Sequence, residues 1–229
     1  MQQAYREIRV VSEAQTVRIV LSTLPGEHVL QELTRASAGL LGGSDDGIKA
    51  VVLDFNKRSS VNDETTTPIE ALAQARAAIH AIPQPVLAVV RGDLSVIASQ
   101  LLGEADFTLI AHEATLPESM QEAKKDQDKA EIRIAGLAAH RLGYATWTAS
   151  LAELPREMER ILDLLRGKSA IALRNAKASV RLAAQQGGNS LAALRQVNDF
   201  YLATVMQTQD ASEGLRAFLE KRQPRWSNR

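Results

Sequence analysis

The stretch QTQDASEGLRAFLEKRQPRW, residues 207–226, has the pattern of a helix that closes the chain. Asp210 stands where an N-cap is expected, and Glu213 follows three residues later, which is the spacing of a capping box. Pro224 predicts the end of the helix, because proline cannot continue one. Three more helical segments precede this stretch, so residues 151–229 are predicted to form a C-terminal helical region.

Upstream, strands and helices alternate with short connections, which is typical of an α/β domain with parallel strands. The runs GIKAVVLDF (47–55) and PQPVLAVV (83–90) are almost continuously apolar, as expected of strands buried on both faces. The pattern is completed by a hairpin (5–11 and 16–22), three helices (25–43, 68–82 and 95–103) and a further strand (106–111). The charged segment 118–142 contains strong helix formers and is predicted to be helical.

The composition excludes several classes of function. Lys plus Arg and Asp plus Glu both number 27, so the formal net charge is zero and no nucleic-acid or anionic-membrane partner is expected. The absence of cysteine excludes disulfides and thiolate metal sites, and the four histidines lack ligand spacing, so no metal is expected. Neither a signal peptide nor a membrane-spanning stretch is visible, which predicts a cytoplasmic protein.

Several segments together resemble the crotonase superfamily, the enoyl-CoA hydratase/isomerase family. The closing stretch is similar to the family's A-x-E-G followed by A-F-x-E-K-R-x-P, through Asp210, Glu213, Gly214, Ala217, Phe218, Glu220, Lys221, Arg222 and Pro224. IKAVVLDF resembles the family's R-A-V-V-L-T-G, and QPVLAVVRG resembles K-P-V-I-A-A-V-N-G. SAIALRNAK resembles S-P-x-A-x-x-x-x-K. The resemblance runs in order along nearly the whole chain.

The resemblance implies a fold and a ligand class. It implies an α/β core, residues 1–150, built as a crotonase-like spiral of ββα units. Residues 151–229 would then trimerise or cover the site, giving a homotrimer or a dimer of trimers (a hexamer). Family members bind acyl-CoA thioesters as substrates and use no further cofactor. Two backbone N–H groups form an oxyanion hole for the enolate oxygen, and carboxylates move protons.

The resemblance places the two oxyanion donors at Asp63 and Ile97. Val61-Asn62-Asp63-Glu64 matches the family's A-G-A-D turn, and the same residues also fit a solvated polar loop. With Gly92 matched to the glycine of N-G, the family's three glycines become Val96, Ile97 and Ala98. Two β-branched side chains are expected to obstruct the approach of a thioester there. Without the resemblance, this segment fits a buried helix packed on the sheet.

The catalytic carboxylates of hydratases correspond to Gln100 and Glu118. An amide neither takes nor gives a proton at neutral pH, so hydration by two carboxylates is not expected. Glu118, in Leu116-Pro117-Glu118, resembles the second carboxylate, and some isomerases of the family use that one alone. The same glutamate also fits the first turn of a helix, where the macrodipole favours it. The family's next, glycine-rich segment is replaced here by SMQEAKKDQDKAEIR.

Further residues carry two interpretations each. Lys221 and Arg222 resemble a basic pair that meets CoA phosphates, and they also fit a solvated charge pair. Asp93 is either an additional acid or the cap of the helix that follows it. Arg91-Gly92-Asp93 spells an adhesion tripeptide, but it follows a buried strand, and Gly92 is a turn glycine.

Two functions therefore stay open. One is an acyl-CoA isomerase or lyase with a degenerate oxyanion hole and one carboxylate. The other is a catalytically silent crotonase-fold protein that serves as a binding or assembly subunit.

Overall fold

The computed structural model of the 229-residue chain describes residues 5–22, 24–41, 47–57, 69–118, 133–185 and 190–228. Within these ranges the main sheet has the order β1–β2–β3–β4–β5–β8. Its first pair is antiparallel and the others are parallel. The strands are β1 (Arg9–Glu13), β2 (Thr16–Ser22), β3 (Ala50–Lys57), β4 (Val86–Val90), β5 (Phe107–Ala111) and β8 (Trp147–Ala149).

Helices follow the strands, as the sequence predicts, and then dominate the C-terminal third of the chain. They are α1 (Glu27–Gly39), α2 (Ile69–Ala81), α3 (Val96–Leu102), α4 (Gly136–Ala139), α5 (Leu154–Arg166), α6 (Ala170–Gln185), α7 (Leu191–Ala203) and α8 (Gln209–Leu219). None of the helices in the described ranges is both long and apolar enough to cross a membrane. The division into a core of residues 1–150 and a separate helical region stays a prediction.

The two apolar runs form the centre of the sheet, which confirms the α/β class. Leu53 and Phe55 of β3 and Leu87 of β4 are fully buried, and every residue of β4 is buried. These strands pair in parallel, with Leu53 opposite Ala88. Continuous burial explains why their sequences show no alternation of polar and apolar residues.

The prediction of a helix over 118–142 is wrong at residues 133–135. Residues Arg133–Ala135 form a strand, β7, which pairs antiparallel with β6 (Thr115–Pro117), and only then does the short α4 begin. Ile134 is buried opposite Leu116, while its neighbours are exposed, so tertiary pairing overrides local helix propensity. Residues 119–132 lie outside the described residues.

Gly136 explains how the chain turns from β7 into α4. A Cβ atom at this position would lie 1.9 Å from the carbonyl oxygen of Ala111, closer than any real contact. The N–H of Gly136 donates to the carbonyl of Ala114 at 2.7 Å. Only glycine allows the backbone of this ribbon to approach β5 so closely.

The predicted capping box at the start of α8 is wrong. Thr208 is the N-cap, and its hydroxyl accepts the N–H of Ala211. Asp210 is instead buried and accepts the N–H groups of Ser227 at 2.7 Å and Asn228 at 2.9 Å. Burial acts to raise the pKa of Asp210, but hydrogen bonds, first those from Ser169 and Ser227, outweigh it and lower the pKa. The carboxylate therefore fastens the C-terminal tail.

A buried lysine fastens α6 to the sheet. The Nζ of Lys177 lies 2.5 Å from Asp106 and donates to the carbonyl of Gln84 at 2.9 Å. Burial lowers the pKa of Lys177 despite the neighbouring carboxylate. Lys177 is the lysine of the S-P-x-A-x-x-x-x-K resemblance, so the structure assigns that motif position a packing role between the helical region and the strands.

Candidate functional site

The candidate site is organised around the turn Arg91–Ser95, which connects β4 to α3. Its first residue is held by Asp54, a fully buried residue of β3. The Nε of Arg91 donates to Asp54 at 2.8 Å, and so does the Nε of Arg18, from β2. The N–H of Arg91 donates to the carbonyl of Phe55 at 3.1 Å. Ligands of open parallel sheets bind at this carboxyl edge of the strands.

The other end of the turn is held by the β6–β7 ribbon. Asp93 accepts the N–H of Thr115 at 3.1 Å and its hydroxyl at 2.8 Å. The N–H of Leu94 donates to the carbonyl of Thr115 at 3.0 Å, and Arg133 donates to the carbonyl of Leu94 at 2.7 Å. Asp93 therefore joins the turn to β6. It is not the helix cap, because Ser95 fills that position.

Helix α3 begins with the residues that the resemblance matches to the family's three glycines. The hydroxyl of Ser95 accepts the N–H of Ala98 at 3.2 Å. Within the described ranges, the N–H groups of Val96 and Ile97 have no hydrogen-bond acceptor, as is usual for the first turn of a helix. The side chain of Ile97 is half-buried and packs against the core. The backbone donor that the resemblance assigns to Ile97 is thus present and unbonded.

The two carboxylate positions lie on elements that adjoin this turn. Gln100 is half-buried on α3, and Glu118 is exposed directly after β6. Because Leu94 and Thr115 are hydrogen-bonded, the start of β6 lies beside the turn that leads into α3, and Glu118 follows three residues after Thr115. Asp63, the other predicted donor, falls within 58–68, outside the described residues, and stays a prediction.

The predicted CoA-binding pair has two different environments. Arg222 donates to Glu213 at 2.6 and 3.0 Å and to Glu220 at 2.6 Å, and these carboxylates raise its pKa. Lys221 is exposed and follows the C-cap of α8 with a φ of 52°, a left-handed conformation. Of the two, Lys221 is the one whose charge is not already engaged by a carboxylate in the described structure.

A surface cleft of about 350 Å³ lies away from this turn, between the N-terminal segment and α1. One of its lining residues, Glu32, accepts the N–H groups of Arg6 at 2.9 Å, Glu7 at 2.9 Å and Ile8 at 3.1 Å. Burial acts to raise the pKa of Glu32, but these three hydrogen bonds outweigh it and lower the pKa. Glu32 therefore anchors the N-terminal segment. No cluster of potential metal ligands occurs among the described residues.

The comparisons with known proteins identify the fold. No protein-family model and no curated protein sequence matches the chain. Solved structures do match: an enoyl-CoA hydratase of Mycobacterium smegmatis superimposes with a TM-score of 0.79 at 20% identity, over 96% of this chain and 99% of that one. An enoyl-CoA hydratase/isomerase of Mycobacterium paratuberculosis gives 0.77 at 22% identity, over 99% and 100%. An enoyl-CoA hydratase of Bacillus anthracis gives 0.77 at 18% identity, over 98% and 100%.

The chain therefore has the fold of the enoyl-CoA hydratase/isomerase family, as the sequence resemblance predicted. The similarity is one of fold, and the function of this chain has to be argued from its site.

Proposed function

We propose that this chain binds an acyl-CoA thioester at the carboxyl edge of its sheet and catalyses proton transfer with one carboxylate, without hydrating the substrate. One observation carries the proposal. The unbonded N–H of Ile97 and the exposed carboxylate of Glu118 lie on segments that are hydrogen-bonded to each other through Leu94 and Thr115. An oxyanion donor and a base on adjoining segments are the two elements that enolate chemistry requires.

The proposed reaction begins at the α carbon of the thioester. Glu118 removes the α proton, and the electrons of the broken C–H bond form an enolate whose oxygen accepts the N–H of Ile97 and, by resemblance, that of Asp63. The protonated Glu118 then returns the proton to the γ carbon of an unsaturated substrate, which moves the double bond. Gln100 takes no part in proton transfer, because its amide is neutral. Lys221 is proposed to meet the CoA phosphates.

Calorimetric titration with CoA thioesters of several chain lengths tests the binding part of the proposal. Free CoA, which has no acyl group, is the control ligand. We expect micromolar affinity for at least one thioester and a weaker one after Lys221→Gln. No heat of binding with any thioester, for a folded protein, would contradict the proposal.

Exchange of the α proton in D₂O tests the chemical part. We expect the wild-type chain to introduce deuterium at the α carbon, and Glu118→Gln to reduce the rate by about 10²-fold or more while binding persists. Glu70→Gln is the matched control, since Glu70 is an exposed glutamate of α2. Equal loss in both variants, or none in either, would remove Glu118 from the proposed role.

A second candidate function, a silent assembly subunit, is favoured by the surface of the C-terminal helices. Large apolar side chains are strongly exposed there, including Val180 at 70%, Phe218 at 79% and Leu219 at 72%. Exposed apolar patches of this kind mark protein–protein contacts. This function predicts a homotrimer or a dimer of trimers in analytical ultracentrifugation that binds no thioester, whereas the first candidate requires binding.

A further inference from the structure

We infer that Arg133 is a positioning residue that sets the distance and orientation between the start of α3 and the end of β6. This inference rests on the proposed function, because those two segments carry the proposed donor, Ile97, and the proposed base, Glu118. Arg133 itself lies on β7, outside every motif of the family resemblance, and the sequence alone gives it no role.

One guanidinium group joins both segments. The Nη2 of Arg133 donates to the carbonyl of Leu94 at 2.7 Å and to the carbonyl of Thr115 at 3.3 Å. Its Nε donates to the hydroxyl of Thr115 at 2.8 Å. That hydroxyl in turn donates to Asp93 at 2.8 Å. A continuous chain of hydrogen bonds therefore runs from β7 through β6 into the turn that precedes α3.

The atoms that Arg133 contacts are those that orient the two segments. Leu94 immediately precedes the N-cap Ser95, so a bond to its carbonyl fixes the peptide plane from which α3 starts. Thr115 begins β6, which ends one residue before Glu118. Hydrogen bonds from a charged donor are about twice as strong as neutral ones, and a guanidinium presents its donors in one rigid plane. A lysine in place of Arg133 could not bond all these acceptors in the same geometry.

The opposite end of the turn is fixed separately, by Arg91 and Asp54. The bonds described for Arg133 hold the end of the turn that leads into α3. Misplacement of reacting groups by about 1 Å can cost about 10²-fold in rate. Loss of Arg133 is thus expected to slow proton transfer far more than it weakens ligand binding.

Backbone amide resonances test the positioning directly, with no ligand present. In ¹H–¹⁵N spectra of the whole protein, we expect Arg133→Gln and Arg133→Lys to shift the amides of Ile97 and Glu118. The matched control is Arg141→Gln, an exposed arginine beyond α4, which should leave both resonances in place. Unchanged Ile97 and Glu118 amides in folded Arg133 variants would overturn the inference.

Kinetics separate positioning from binding. In Arg133→Ala we expect α-proton exchange to fall by about 10²-fold, the Kd of the thioester to change by less than about threefold, and added guanidinium ion to restore part of the rate. An equal loss of rate and affinity would overturn the inference, because Arg133 would then be a ligand-binding group. If the wild-type protein exchanges no α proton, the proposed function fails, while the amide resonances still decide whether Arg133 orients the two segments.

Discussion

Replacement of Asp54 by asparagine is the perturbation for which the structure gives the clearest magnitude. Asp54 is fully buried, and its carboxylate accepts hydrogen bonds from Arg91 and Arg18. The Arg91 side chain is only 14% exposed, so in Asp54→Asn its charge remains in the interior without a carboxylate to neutralise it. Breaking a buried ion pair in this way costs about 3–5 kcal/mol.

The contribution of Arg18 to this loss is small, because its side chain is 37% exposed and can turn toward water. Exposed ion pairs contribute about 0–1 kcal/mol. We therefore assign nearly all of the loss to Arg91. With a urea m-value of about 2 kcal/mol/M, a loss of about 4 kcal/mol lowers the unfolding midpoint by about 2 M.

Urea unfolding followed by circular dichroism measures this shift. The control variant is Arg18→Gln, which should lower the free energy of unfolding by less than about 1 kcal/mol. The double variant Asp54→Thr, Arg91→Asn carries the uncharged residues of the resembled motifs and should recover at least half of the loss. A cost below about 1 kcal/mol for Asp54→Asn, or a double variant no more stable than the single one, would refute the reasoning.

Three further predictions concern single positions. Gln15 lies at φ 64° in the two-residue turn between β1 and β2, so Gln15→Gly should raise stability by about 1 kcal/mol; a lower Tm would contradict this. Lys221→Gly should likewise raise the Tm, since φ is 52° at this position, while it weakens the binding of CoA thioesters. A lower Tm together with weaker binding would contradict this prediction. Glu213 has its pKa lowered to about 2, first by the hydrogen bond from Arg222. The stabilisation by Glu213 is therefore complete above about pH 4.5 and is lost as the pH falls toward 2. In Glu213→Gln the Tm should depend less on pH within that window, which measuring the Tm over an acid series checks.

The sequence predicts the centre of the fold well because the centre is determined by local composition. The apolar runs that became β3 and β4 can occupy only a sheet covered on both faces. Residues 133–135 could not be predicted in the same way. Their neighbours favour a helix, and the pairing of Ile134 with Leu116 that decides the outcome is a tertiary contact.

The site residues themselves stay predictions, and the bonds that support them were not predicted. The structure has Ile97 in the first turn of a helix, as the sequence predicts, and places an additional short strand, β6, directly before Glu118. The bond between Asp54 and Arg91 was missed, although a signal existed. A charged residue inside one apolar run and another at the end of the next are expected to meet when the two strands are parallel neighbours. Arg133 gave no such signal, because none of the partners described for it, two backbone carbonyls and the hydroxyl of Thr115, carries a charge.

One measurement tests the central claim most directly. The chain is incubated in D₂O with a CoA thioester that bears a 3-enoyl group, and the products are followed by NMR. We predict conversion to the 2-enoyl isomer with deuterium at the α or γ carbon, no 3-hydroxyacyl product, and loss of the conversion in Glu118→Gln. Formation of a 3-hydroxyacyl-CoA, or neither isomerisation nor deuterium incorporation by a folded protein that binds the thioester, would contradict the account.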